Sequence, residues 1–180
     1  MLSDKDIKKL AKREGLVDPF RDDCLQPASY DVHLGPYFLN TKTGERHVAW
    51  GARSEFVLPP GELWLGATLE KFSLPSNIAA QVEGRSSWGR LGLLTHITAG
   101  FIDPGFTGMI TLELYNVNSY PLILPTVFDL LLDSTGVEPI AQVSFMKLSS
   151  KAREPYDTKG HYRNPIGPQL SRLKGHVKKQ

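Results

Sequence analysis

A single cysteine, Cys24, in 180 residues is the sharpest scarcity in this sequence. It excludes an internal disulfide and any thiolate-rich metal centre, including the Pro-Cys-x-x-Cys half of a zinc nucleobase-deaminase site. As a lone residue it reads as a small buried or half-buried side chain. No apolar run approaches the ~20 residues of a membrane helix. The polar start Met1-Leu2-Ser3-Asp4-Lys5-Asp6 has neither the cationic segment nor the apolar stretch of a secretory signal. The expectation is a cytoplasmic protein with no membrane partner. Charge of one sign is also scarce overall: the formal net charge is +2. That near-balance hides nine Lys or Arg against two Asp or Glu from Lys147 onward, and twelve against seventeen before it. A basic end can serve nucleic acid, an anionic substrate or plain solvation. Aromatics are sparse there, with Tyr156 and Tyr162 alone, so the end lacks the interleaved rings of a nucleic-acid stacking platform.

Apolar content of 41% and charged content of 22% suit a globular chain. The length suits one domain over 1–180, because ~150 residues already bury roughly 70% of their unfolded surface. Ser3 and Asp6 resemble a helix start, Ile7, Leu10 and Ala11 share one helical face, and Gly15 stops it. After Pro27 come short runs at 29–34, 37–40, 62–69, 78–82, 109–115, 121–124 and 140–148, separated by Gly, Pro, Asn and Asp. Such runs with turn signals predict a mainly β fold, sandwich or barrel, behind one short N-terminal helix. Residues 150–180 carry no core pattern and read as a flexible arm or lid.

Chemistry concentrates in the middle. Arg85, Ser86, Ser87, Trp88, Gly89 and Arg90 bring together two guanidinium groups and two hydroxyls, a natural set for phosphate. A polar turn with surface arginines is the plain alternative, and no Walker loop is present. Glu113 lies within Ile110-Thr111-Leu112-Glu113-Leu114-Tyr115, on the strand face of Thr111 and Tyr115 and opposite Leu112 and Leu114. A pocket on that face would partly desolvate its carboxylate for proton transfer; an open face would leave it a solvated acid. Asp103, before Pro104-Gly105, either starts a turn or meets a sugar hydroxyl or water. His96 and Thr98 share a face, and a lone histidine there reads as a hydrogen-bonded core group.

Gln26-Pro27-Ala28-Ser29-Tyr30-Asp31, the segment Glu83-Gly84-Arg85-Ser86-Ser87-Trp88-Gly89-Arg90-Leu91-Gly92-Leu93, the segment Thr95-His96-Ile97-Thr98-Ala99-Gly100-Phe101-Ile102-Asp103-Pro104-Gly105-Phe106, and Thr111-Leu112-Glu113-Leu114-Tyr115-Asn116 together resemble the dCTP deaminase branch of the dUTPase superfamily. The resemblance implies a distorted jelly-roll β fold and a homotrimer with sites between subunits. It also implies a dCTP or dUTP substrate with Mg²⁺ carried on the triphosphate, no metal ligands from protein side chains and no zinc. Glu113 would be general base and acid, with Ser86 and Arg90 as its catalytic partners. Arg85, Ser87, Trp88 and Gly89 would belong to the phosphate segment, and Thr98, Ala99, Thr111 and Leu112 to the base-reading region. Asp103, Gln142, Tyr156 and His161 would meet sugar or phosphate. Gly100 and Phe101 resemble the dUMP-forming type, in which deamination continues to dUMP and pyrophosphate. Deamination that stops at dUTP is the near alternative, and a non-enzymatic nucleotide- or nucleic-acid-binding regulator the distant one. A plain dUTPase lacks support, because its tyrosine-bearing central motif is not found. Three departures from the family stand out: His33 where arginine is common, an insertion over 126–135, and a lid reading His161-Tyr162-Arg163-Asn164-Pro165.

Overall fold

The computed structural model describes residues 1–49, 54–127 and 136–173. The chain opens with α1, Asp4–Glu14, whose Ile7 and Ala11 are buried one turn apart. Ser3 precedes it in extended conformation, but its hydroxyl bonds the Asp6 carboxylate at 3.3 Å and caps no amide. The helix stops at Gly15, whose N–H returns to the Ala11 carbonyl. Its start is fastened to the body by the Leu2 N–H, which donates to the Phe145 carbonyl at 2.7 Å.

Twelve strands follow among the described residues: β1 Val17–Asp18, β2 Tyr30–Val32, β3 Tyr37–Asn40, β4 Arg46–Val48, β5 Ser54–Leu58, β6 Leu63–Ser73, β7 Ile78–Gly84, β8 Leu93–Leu94, β9 Phe101–Ile102, β10 Thr107–Asn116, β11 Leu122–Thr126 and β12 Ala141–Lys147. A short helix α2, Ser86–Arg90, lies between β7 and β8, and another, α3, Tyr156–Lys159, follows β12. Every pairing is antiparallel. One sheet runs β4-β3-β6-β10-β8 with β1 also on β6, a second runs β2-β12-β7-β9, and β5 pairs with β11 alone. Phe38 of the first sheet stacks on Phe56 of the two-stranded ribbon at 3.8 Å, and Phe72 meets Phe145 of the second sheet at 6.2 Å. The three sheets thus close on one apolar core, a distorted jelly roll of mainly β class.

Five strands, β1, β4, β5, β8 and β9, were not among the sequence-predicted runs, and 86–90, expected as a turn, is one turn of helix. β4 is largely exposed, so no alternating pattern marks it. The first residue of the expected insertion over 126–135, Thr126, is the last of β11, and the next, Val127, donates its N–H to the Leu34 carbonyl; 128–135 lie outside the described residues. His33, expected as a departure from the family, pairs with a buried carboxylate. The buried Glu70 carboxylate accepts the His33 main-chain N–H at 3.0 and 3.2 Å and lies 2.8 Å from its Nδ1. No described helix is long and apolar enough to cross a membrane.

Candidate active site

β10 and β6 run side by side, with Glu113 opposite Leu65 and Tyr115 opposite Leu63. Along β10, Ile110, Leu112 and Leu114 face the core, while Thr111, Glu113 and Tyr115 are half-buried on the outer face. The expected alternation therefore holds, and the outer face is not open. A cleft of about 550 Å³ lies over it, walled by Leu63, Leu65, His96, Ala99, Phe101, Asp103, Thr111, Glu113 and Tyr156, with Tyr162, Pro165, Gln169, Leu170 and Ser171 across the opening. The walls are mostly apolar with a few polar groups converging, the usual make-up of a small-ligand site.

The Glu113 carboxylate is held asymmetrically. Its Oε2 accepts the Ile97 N–H at 3.2 Å, the Thr98 N–H at 3.0 Å and the Thr98 hydroxyl at 3.2 Å. Oε1 has only a long 3.5 Å approach from the same hydroxyl. One oxygen is thereby anchored and the other left to meet a ligand. The Glu113 N–H donates to His96 Nδ1 at 3.4 Å, and His96 Nε2 is buried with no partner among the described residues.

Asp103 begins a turn, but the turn is closed through main chain, by the Phe106 N–H on the Asp103 carbonyl at 3.2 Å. Its carboxylate makes no hydrogen bond among the described residues and lines the cleft. Gly100 donates nothing to the wall itself. A Cβ there would approach the Val82 carbonyl to 2.8 Å, so the glycine lets the 96–100 loop lie against β7 and presents Phe101 to the cleft with 60% of its surface exposed.

The other predicted residues form a second group that does not line this cleft. In α2, Ser86, Ser87, Gly89 and Arg90 are exposed. Arg85, just before it, is paired with Asp31 and reaches Glu138 at 3.5 Å, so one expected phosphate ligand is spent inside the chain. Gln26 Nε2 donates to the same Asp31 carboxylate at 3.0 Å, and Gln142 accepts the Ser29 hydroxyl at 3.3 Å. Trp88 is a core residue, its indole N–H donating to the Pro139 carbonyl at 2.9 Å, and Leu112 is fully buried; neither offers a side chain to a ligand. His161 is exposed, with its carbonyl accepting from Arg172.

Sequence reasoning missed the apolar floor, Leu63 and Leu65, and the far wall, Gln169 to Ser171. The signal for the floor was the register with Glu113, set at a β-bulge between Met109 and Thr111 that residue order does not mark.

A mainly β jelly roll carrying an anchored carboxylate in a largely apolar cleft has the make-up of a small-ligand site. The family model described as dCTP deaminase-like matches residues 1–127. The chain is 42% identical over 196 residues to the "dCTP deaminase, dUMP-forming" of Beutenbergia cavernae, covering 99% of this chain and 96% of that one. It is 41% identical over 193 residues to the protein of the same name from Dictyoglomus turgidum, covering 96% and 94%. The fold matches the crystal structure of 2'-deoxycytidine 5'-triphosphate deaminase from Agrobacterium tumefaciens with a TM-score of 0.62, at 19% identity, over 80% of this chain and 47% of that chain. The chain belongs to the dCTP deaminase family.

Proposed function

We propose that this protein hydrolyses dCTP at C4, releasing ammonia, and carries the resulting dUTP on to dUMP and pyrophosphate. The observation that carries the reading is Glu113, half-buried in the cleft with one carboxylate oxygen anchored and the other free. The names of relatives at more than 40% identity support the same substrate and product.

In the first step Glu113 Oε1 takes a proton from a water that adds to C4. The carboxyl passes that proton to N3 of the ring, takes the second proton from the new C4 hydroxyl and delivers it to the 4-amino nitrogen; the C4–N bond breaks, ammonia leaves, and a carbonyl remains. The Ile97 and Thr98 amides fix the carboxylate in line, which turns a collision into an oriented transfer. In the second step water attacks the triphosphate and displaces pyrophosphate. Asp103, on the wall of the cleft and unpaired among the described residues, is the residue suited to orient that water or the sugar. Mg²⁺ would ride on the phosphates, since it keeps its waters and prefers phosphate oxygen to an all-protein cage. Asp103 fits this as an acceptor for the ion's bound waters. When bound, the ion would supply charge neutralisation for the leaving pyrophosphate.

Ser86 and Arg90 would reach a nucleotide from a neighbouring copy. The exposed side chains of Leu91, Leu94, Ile97, Val117 and Tyr120 support burial between subunits. We take the assembly to be a homotrimer with three shared sites. Glu113→Gln keeps the shape and loses the base. Ammonia release should fall at least about a thousandfold, while dCTP binding by calorimetry stays within a few-fold. An active Glu113→Gln protein would overturn the assignment.

A further inference from the structure

The segment after α3 folds back over the cleft of its own chain, and its closure depends on one residue that the reading above leaves unused. Tyr156 packs on Phe106 with ring centroids 5.7 Å apart, and its hydroxyl accepts the Tyr162 N–H at 3.0 Å. Two main-chain bonds then tie the arm to β10: Asn164 N–H to the Thr107 carbonyl at 3.1 Å, and Met109 N–H to the Pro165 carbonyl at 2.9 Å. These bonds hold the arm only as far as Pro165. Gln169, Leu170 and Ser171, which wall the cleft, lie beyond them.

Arg172 closes that remaining stretch. Its guanidinium donates to the His161 carbonyl and lies 5.1 Å from the Tyr162 ring centroid, while its main-chain N–H donates to the Tyr162 hydroxyl at 3.0 Å. Three contacts from one residue on two adjacent residues convert 161–172 into a closed loop. A planar, always-charged fork that both stacks and donates is what arginine offers and lysine does not.

We propose that Arg172 is a positioning residue that pins the arm shut and so keeps the nucleotide in the cleft between the two hydrolytic steps. This rests on the two-step reading of the site. A closed arm excludes bulk water and retains dUTP; an arm hinged open at Pro165 releases it early.

The test compares Arg172→Ala and Arg172→Lys with the parent protein, all full length. Hydrogen–deuterium exchange on the nucleotide-free proteins should be faster across 161–172 in Arg172→Ala and unchanged in β6, β7 and β12. With dCTP and Mg²⁺, Arg172→Ala should raise KM about tenfold, change the first-turnover ammonia rate less, and release part of its product as dUTP. Arg172→Lys, which keeps the charge without the planar fork, should fall between the two. Unchanged arm exchange would overturn the proposal, and so would faster exchange with parental KM and no free dUTP. If the parent protein releases no ammonia from dCTP, the two-step reading fails, and exchange alone decides whether Arg172 holds the arm.

Discussion

Glu113 and Cys24 illustrate how position decides what a side chain can do. Three donors on Glu113 Oε2 leave Oε1 as the oxygen that would act as base in the proposed reaction. Thr98→Val removes one donor while keeping the bulk. Removing one hydrogen bond to a carboxylate should lower kcat about tenfold and leave KM within about twofold, as steady-state ammonia release would measure. Burial pushes the Cys24 thiol from an ordinary 9.0 up to about 12, with Glu70 and Asp23 adding to the rise. A raised acid favours the native state below the thiol's ordinary range, and that contribution is lost as pH climbs toward about 12. Native protein should therefore resist iodoacetamide at pH 8 and label only in denaturant. Denaturant melts should show stability falling above about pH 9, less steeply in Cys24→Ala.

Among the elements, β10 does the most to build the site, and it also receives the arm. Gly108 has φ +136°, and a Cβ there would approach the Pro165 ring to 2.3 Å. Gly108→Ala should cost about 1–3 kcal/mol through backbone strain and displace the arm, which a lower Tm together with a raised KM for dCTP would register. Much of this element was legible in the sequence. The alternation that sets Glu113 apart from Leu112 and Leu114 needs only the strand period. So was α1, because Ile7, Leu10 and Ala11 share a face. What could not be read was pairing. Leu63 and Leu65 become the cleft floor only through register with Tyr115 and Glu113, and a bulge sets that register. Arg85 looked like a phosphate ligand because its partner, Asp31, is 54 positions away in the chain. Trp88 looked like part of a ligand loop because a helical turn buries it, and isolated helices this short carry no reliable signal.

At the scale of the whole molecule, the predicted site residues fall into two groups, one around Glu113 and one on α2, and only the first lines the cleft of its own chain. The shared-site account joins them across copies. Arg90→Ala and Glu113→Gln should each be inactive alone, yet mixed after mild dissociation they should recover roughly a quarter of the parental rate, as random subunit pairing requires. No recovery from a mixture shown to exchange subunits would place both residues in one chain's site. The central claim is the two-step reaction itself, and the most direct measurement follows ammonia, dUTP, dUMP and pyrophosphate together after purified protein meets dCTP and Mg²⁺. The account predicts ammonia, dUMP and pyrophosphate rising in equal amounts with little free dUTP. Ammonia accompanied by stable dUTP would contradict the second step, and no ammonia at all would contradict the first.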